Sequence, residues 1–164
     1  MNILFITNHL NVGGVTSYVF SLCRGLKKLG HNVYVASSGG DCLTRFTEEG
    51  IIFIPVPIMA KSEINVFKIG ISFFKLLKDI QEKQIQIVHT NTRVTQVLGN
   101  LLKRKTGVIH VTTWHGFFKR RWFRRVFPCW ADKIIAVSEQ VRAHLLSEFK
   151  ARQENIRLIY NGID

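Results

Sequence analysis

At 164 residues the chain holds one domain with a full core and is too short for two of ordinary size. A hydrophobic content of 46% excludes disorder, and no apolar run approaches the ~20 residues that a membrane-spanning helix needs. Charge is the outlier: 23 Lys and Arg stand against 11 Asp and Glu, leaving +12 at pH 7. The excess is uneven, because ten cations and no acid lie between Lys83 and Ala131. Such a region expects a polyanionic partner, either nucleic acid or an anionic bilayer.

Cys23, Cys42 and Cys129 are odd in number and scattered, which predicts reduced thiols with neither a disulfide framework nor a metal site. The first residues carry no secretory pattern, so a cytoplasmic setting is expected.

The chain opens on Asn2-Ile-Leu-Phe-Ile-Thr7, a short apolar run of the kind buried on both faces in a parallel sheet. After Asn8-His-Leu-Asn-Val-Gly13-Gly14 the period changes. Val15, Val19, Leu22, Leu26 and Leu29 line one face of a predicted helix that Gly30 stops. A second strand follows at Asn32–Ala36 and completes the opening of a right-handed crossover. Gly13-Gly14 reads two ways: as a tight turn, or as a helix start whose amides hold an anion, most often a phosphate.

Asp41 is expected to cap a short helix ending at Gly50, with a third strand at Ile51–Ile54 before Pro55-Val-Pro57. A long helix is predicted over about Ile64 to Lys83. Its lysines Lys61, Lys68, Lys75 and Lys78 form a stripe, either solvated or touching lipid headgroups. Gln86–His89 is a fourth strand, followed by Thr90-Asn91-Thr92 and a helix carrying Val94, Val97, Leu98, Leu101 and Leu102. Gly107 precedes a fifth strand at Val108–Thr112, then Thr113-Trp114-His115-Gly116 and a basic, aromatic stretch to Trp130. Asp132–Val137 is the sixth strand, Ser138 an N-cap, and Val141, Leu145 and Phe149 one helix face. Ile156–Ile159 closes a doubly wound, mostly parallel α/β sheet of about seven strands with helices on both faces.

In open parallel sheets ligands collect beyond the carboxyl ends of the strands. That rule gathers Asn8, His9, Gly13, Gly14, Ser37, Ser38, His89, Asn91, His115, Gly116 and Ser138 at one edge. No G-x-G-x-x-G is present, and the second strand ends in Ser37-Ser38 without an acid, so a nicotinamide enzyme such as an epimerase or reductase is disfavoured. No carboxylate pair lies near the edge, which disfavours glycoside hydrolysis. A basic nucleic-acid-binding module stays open as an alternative on charge and aromatics alone, without a reader motif.

Five segments in order resemble the family-4 retaining glycosyltransferases of the GT-B fold. They are Gly13-Gly14 heading a helix before Gly30-His31-Asn32-Val33, Ile87-Val-His89-Thr-Asn91, Thr113-Trp-His115-Gly116, Asp132-Lys-Ile-Ile-Ala-Val-Ser138, and Ile159-Tyr-Asn-Gly-Ile-Asp164. The second departs from the family's D-I-V-H-x-H, with Gln86 for the acid and Asn91 for the second histidine. The resemblance implies a Rossmann-like acceptor-side domain over 1–164 and transfer of a sugar from a UDP- or GDP-sugar to an acceptor with retention. It also implies a partner C-terminal domain holding most of the nucleotide and a pair of glutamates, so the chain alone is expected to be inactive. It implies a hydrogen bond from His115 to the donor sugar, against a purely structural role, and the anion-holding reading of Gly13 and Gly14 puts the donor diphosphate at that helix start. Asn8, His89, Asn91, Gly116 and Ser138 fall at the acceptor or cleft edge. No metal, and no cofactor beyond the donor, is expected in this domain, and nucleic acid is not expected as a partner.

The stretch Phe117–Phe127 alternates five basic with six large apolar residues. It reads either as a helix edge with snorkelling arginines or as an interfacial segment on anionic membrane. In the second reading Lys119, Arg120, Arg121, Trp122, Arg124 and Arg125 face the lipid. The protein would then sit on the inner face of the membrane, acting on a lipid-linked or envelope saccharide.

Overall fold

The structure, a computed structural model, describes residues 1–58, 66–117 and 130–162. Seven parallel strands run β1 (Asn2–Ile6), β2 (Asn32–Ser37), β3 (Ile52–Pro55), β4 (Ile87–Thr90), β5 (Ile109–Trp114), β6 (Lys133–Ala136) and β7 (Ile156–Leu158). Their order is β3-β2-β1-β4-β5-β6-β7, with Ile3 opposite Val33 on one side and Ile87 on the other. The helices are α1 (Gly14–Lys28), α2 (Leu43–Glu48), α3 (Val66–Glu82), α4 (Arg93–Thr106) and α5 (Glu139–Phe149).

The central strand explains the layering. Ile3 and Phe5 of β1 pack with Val19, Phe20 and Phe46 under α1 and α2. Leu4 and Ile6 pack with Ile69, Leu76, Leu98 and Leu102 under α3 and α4. A third cluster joins Trp114, Ile134 and Ala136 to Val141 and Leu145 of α5. With alternate side chains buried on opposite faces, β1 must be apolar from Ile3 to Ile6, as its sequence is. The expected doubly wound α/β sheet is the observed one.

Local chemistry sets the joints. Thr92 and Thr95 cap α4 reciprocally, and Gly107 ends it in the left-handed conformation (φ 74°). Ser138 caps α5 by accepting the Val141 amide at 3.2 Å. Asp41 does not cap α2: the N-cap is Cys42, with no side-chain cap bond. The turn there is set by backbone pairs to the β1–α1 loop, Leu10 N–H to Gly39 O at 2.8 Å and Cys42 N–H to Leu10 O at 2.9 Å. Gly40 makes that approach possible, since a Cβ on it would lie 2.5 Å from the Leu10 carbonyl carbon. The buried stripe of α1 is also rotated from its expected position. Thr16, Val19, Phe20 and Cys23 are buried, whereas Leu29 is 73% exposed because it lies beyond the last helical turn. Among the described residues, no helix is long and apolar enough to cross a membrane.

Candidate functional site

Strand order reverses between β1 and β4, and the chains leaving these two strands diverge to opposite faces of the sheet. A crevice at the carboxyl edge follows from that topology. Asn8, two residues beyond β1, spans it. Its Oδ1 accepts from the Thr92 hydroxyl at 2.8 Å, and its carbonyl accepts from the Ser38 hydroxyl at 2.8 Å. Three loops, after β1, β2 and β4, are thereby tied together.

Gly13 and Gly14 are exposed at the start of α1. Gly13 is extended (φ 163°), and a Cβ on either glycine would meet nothing within 4 Å. Neither backbone nor packing demands glycine here, in contrast to Gly40. What their lack of side chains does provide is open access to the first amides of α1.

One turn into α1, Tyr18 joins the far side of the site to the near one. Its hydroxyl shares a hydrogen bond with Thr113 Oγ1 at 3.0 Å, and the same oxygen meets His89 Nε2 at 2.8 Å. The Tyr18 ring stands edge-on to His115, with centroids 4.7 Å apart, and His89 packs on Phe5 at 4.8 Å. The result is a continuous polar line through the α1 side of the sheet, His89–Thr113–Tyr18, ending against His115.

Burial keeps the imidazoles of this line neutral. Desolvation, helped by the nearby His110 and His115, lowers the His89 pKa to about 3. Burial lowers that of His115 to about 4 and, against the opposing Asp132 charge, that of His110 to about 4. The Tyr18 phenol is pushed up by burial, which outweighs its hydrogen bond to Thr113. His115 Nε2 is buried without a hydrogen bond among the described residues. A neutral imidazole of this kind donates or accepts one hydrogen bond and carries no charge.

Of the other expected residues, His89 and Ser138 lie off the crevice surface. His89 is 5% exposed with Nε2 already committed, so it sits beneath the edge as a support, not on it as a contact. Ser138 is beyond β6 with its hydroxyl committed to α5. Asn91 is 3% exposed, and both its Oδ1 and Nδ2 are without hydrogen bonds among the described residues. Unmet buried groups cost about 1–3 kcal/mol each, which marks Asn91 as a side chain suited to a polar partner. Gly116 is half-buried beside His115, and a Cβ there would meet nothing within 4 Å. Lys119, Arg120, Arg121, Trp122, Arg124 and Arg125 lie outside the described residues. No group of three His, Cys, Asp or Glu that could hold a metal occurs among the described residues.

A cavity of about 630 Å³ adjoins this edge, lined by Gly14, Ser17 and Tyr18 of α1, by Arg45 of α2, and by Tyr160 and Asn161 near the chain's end. Arg45 is braced there with its guanidinium 3.9 Å from the Phe20 ring centroid. Neither Tyr18 nor Thr113 was assigned a role from sequence. No local cue marked them: Tyr18 stands in a run that also holds Phe20, and its partner Thr113 lies 95 residues away.

The profile of Glycosyltransferase Family 4 matches residues 12–164. An uncharacterized glycosyltransferase of Methanocaldococcus jannaschii is 28% identical over 93% of this chain and 44% of its own length. An alpha-monoglucosyldiacylglycerol synthase of Streptococcus pneumoniae is 29% identical over 93% of this chain and 38% of its own. The chain thus spans less than half the length of these relatives. A crystal structure of a glycosyltransferase from Rickettsia africae superposes with a TM-score of 0.84 at 25% identity, covering 99% of this chain and 43% of that one. The Anabaena HepE protein, solved with UDP-glucose, shares the fold alone, with a TM-score of 0.80 at 17% identity over 100% of this chain and 44% of its own.

Proposed function

From a chain that belongs to Glycosyltransferase Family 4, we propose the acceptor-side half of a retaining glycosyltransferase that works at a membrane surface on the cytoplasmic side. In this reading a second Rossmann-like domain follows residue 164, carries most of the nucleotide and a glutamate pair, and closes on the carboxyl edge of the sheet. The donor is a UDP- or GDP-sugar, a choice supported by the UDP-glucose complex of the Anabaena neighbour. The acceptor is a lipid-linked or envelope saccharide, supported by the name of the pneumococcal relative, a glycolipid synthase.

One observation carries the assignment of roles. The open glycine pair at the start of α1 and a neutral, partly buried His115 meet at one edge, joined by Tyr18. The first amides of α1 receive the diphosphate, whose charge the helix N-terminus favours. His115 hydrogen-bonds the donor sugar, and its neutrality avoids adding a charge beside the reacting carbon. The acceptor oxygen bonds to the anomeric carbon as the carbon–oxygen bond to the diphosphate breaks on the same face. The departing diphosphate takes the acceptor's proton, so this half supplies no general base. Asn8, Asn91 and Gly116 border the acceptor, with His89 and Ser138 holding the loops behind them.

The test uses the full-length protein with UDP- and GDP-sugars and a diacylglycerol-based acceptor. His115→Ala should lower kcat by about 10²-fold, the scale of one lost transition-state contact, with little change in melting temperature. A variant that only melts earlier, at unchanged kcat, makes His115 structural and removes the assignment. The 164-residue chain should fold alone yet transfer nothing, and nucleotide-sugar-dependent transfer by it would overturn the two-domain reading.

A further inference from the structure

The chain on either side of His115 does little to hold its ring. Trp114 turns to the opposite face of the sheet and packs with Ile134, Val141 and Leu145. Gly116 has no side chain, and open space lies where one would go. His115 Nε2 is buried without a hydrogen bond among the described residues. An imidazole so placed can turn about its last torsion, whose wells are broad and roughly two-fold. What meets the ring is Tyr18, with centroids 4.7 Å apart and planes at 77°. Tyr18 is itself held at both ends. Its backbone lies one turn into α1, about 6 Å along the axis from Gly14. Its hydroxyl shares a hydrogen bond with Thr113 Oγ1 at 3.0 Å, two residues before His115. Packing alone would be served by phenylalanine, and Thr113 Oγ1 already meets His89 Nε2 at 2.8 Å. The phenol hydroxyl is thus surplus to the core, and its effect is to keep the Tyr18 ring from turning.

We infer that Tyr18 is the positioning residue for His115, fixing the imidazole relative to the first amides of α1. The inference rests on the roles given above to His115 and to the start of α1. The two contacts belong to one donor, whose sugar and diphosphate are joined through a single carbon–oxygen bond. They must therefore stand at one separation when that bond breaks. Tyr18 sets the separation, because it grows from the helix that presents the amides and ends against the imidazole. Thr113 keeps Tyr18 from drifting, since its own place is fixed by pairing with Ile135 in the sheet. A reacting group misplaced by about 1 Å can slow a step by about 10²-fold, so a contact of this kind acts through geometry alone. No charge develops on Tyr18 and no proton passes through it in this role.

A double-mutant cycle on kcat in the full-length protein tests it, using whichever UDP- or GDP-sugar the unmutated enzyme transfers. Tyr18→Phe keeps the ring and loses the tether, and should lower kcat about threefold to tenfold with donor KM little changed. Tyr18→Leu loses both, and should approach the loss of about 10²-fold expected for His115→Ala. In the His115→Ala background neither Tyr18 change should lower kcat by more than about twofold, because the ring to be positioned is gone. A second readout needs no turnover. In histidine-labelled protein the His115 Cε1–H resonance should carry a ring-current shift that Tyr18→Phe keeps and Tyr18→Leu loses. Equal falls in kcat with and without His115 overturn the inference, as does a His115 resonance unmoved by Tyr18→Leu. A large loss in His115→Ala that neither Tyr18 variant shares also overturns it, and leaves the role of His115 standing. Unchanged kcat in His115→Ala removes that role instead, and the inference goes with it. Should Tyr18→Leu fail to fold, the Tyr18→Phe arm of the cycle decides alone.

Discussion

Helices α1 and α3 cover opposite faces of one sheet with similar apolar stripes, yet what surrounds those stripes differs. On α1 the outward line is Ser17, Ser21, Gly25 and Lys28, all exposed and small or polar. Its inward side meets a polar line buried in the protein, Tyr18–Thr113–His89. On α3 the inward side meets aliphatic core, and the outward line is Phe67, Ile71 and Phe74. The sheet dictates the inner stripe of each helix, because every strand needs cover. It leaves the outer face and the strand-end polar groups free, and those are where the two layers carry different tasks.

The largest expected difference is in response to acid. The histidines His89 and His115 on the α1 side, with His110 across the sheet, have folded pKa values of about 3, 4 and 4. All lie below the usual 6.5, so between these values the unfolded chain binds protons that the native one does not. Stability is therefore full above about pH 6.5 and falls as pH drops toward 4, by several kcal/mol in total. Denaturant midpoints measured across that range check it. A flat profile would mean that these rings are protonated without cost, and the contrast between layers would lose its electrostatic half.

Next in size is the core test on α3. Leu76→Ala deletes a fully buried side chain and should cost about 2–5 kcal/mol. Phe74→Ser, two residues earlier and outward, should change stability by less than about 0.5 kcal/mol. Similar losses at both positions would mean that the outer face is part of the fold.

Smaller again is Thr113→Val, which keeps the volume and removes the shared oxygen. Both His89 Nε2 and Tyr18 OH would lose a partner, at about 1–3 kcal/mol for the buried imidazole. Tyr18→Phe should cost about 1 kcal/mol, since it leaves the His89–Thr113 bond intact. If the two variants cost the same, the line is a set of independent pairs and not a network.

Sequence made the local patterns of both layers legible and left the long-range contacts unread. The apolar run of β1, the helix after Gly14 and the N-cap at Ser138 are local patterns with local causes, and the structure has them in place. Strand limits moved where pairing is decided at long range: β5 extends to Trp114 because Trp114 pairs with Ala136 of β6. The Asp41 cap failed because backbone bonds from the distant Leu10 set that turn. The Tyr18–Thr113–His89 line was invisible for the same reason, since its members are 95 and 24 residues apart. The exposed face of α3 was hidden differently. Phe67, Ile71 and Phe74 count as apolar wherever they point, and only the helix's rotation on the sheet separates them from Leu76.

The smallest expected effect on the fold comes from Gly14→Val, and it bears most directly on α1. Gly14 begins the helix and has open space where a side chain would go. Valine is no worse a helix residue than glycine, so the melting temperature should hold within the equivalent of about 0.5 kcal/mol. Its two methyl groups would nevertheless stand over the first amides of α1, where the diphosphate is proposed to sit. The full-length variant should therefore bind a UDP-sugar more weakly and transfer more slowly, with an unchanged far-UV spectrum. Full activity in the folded variant would remove the diphosphate from this turn. The glycine pair would then be only a joint between β1 and α1, and the two helices would differ solely in what they show to the outside.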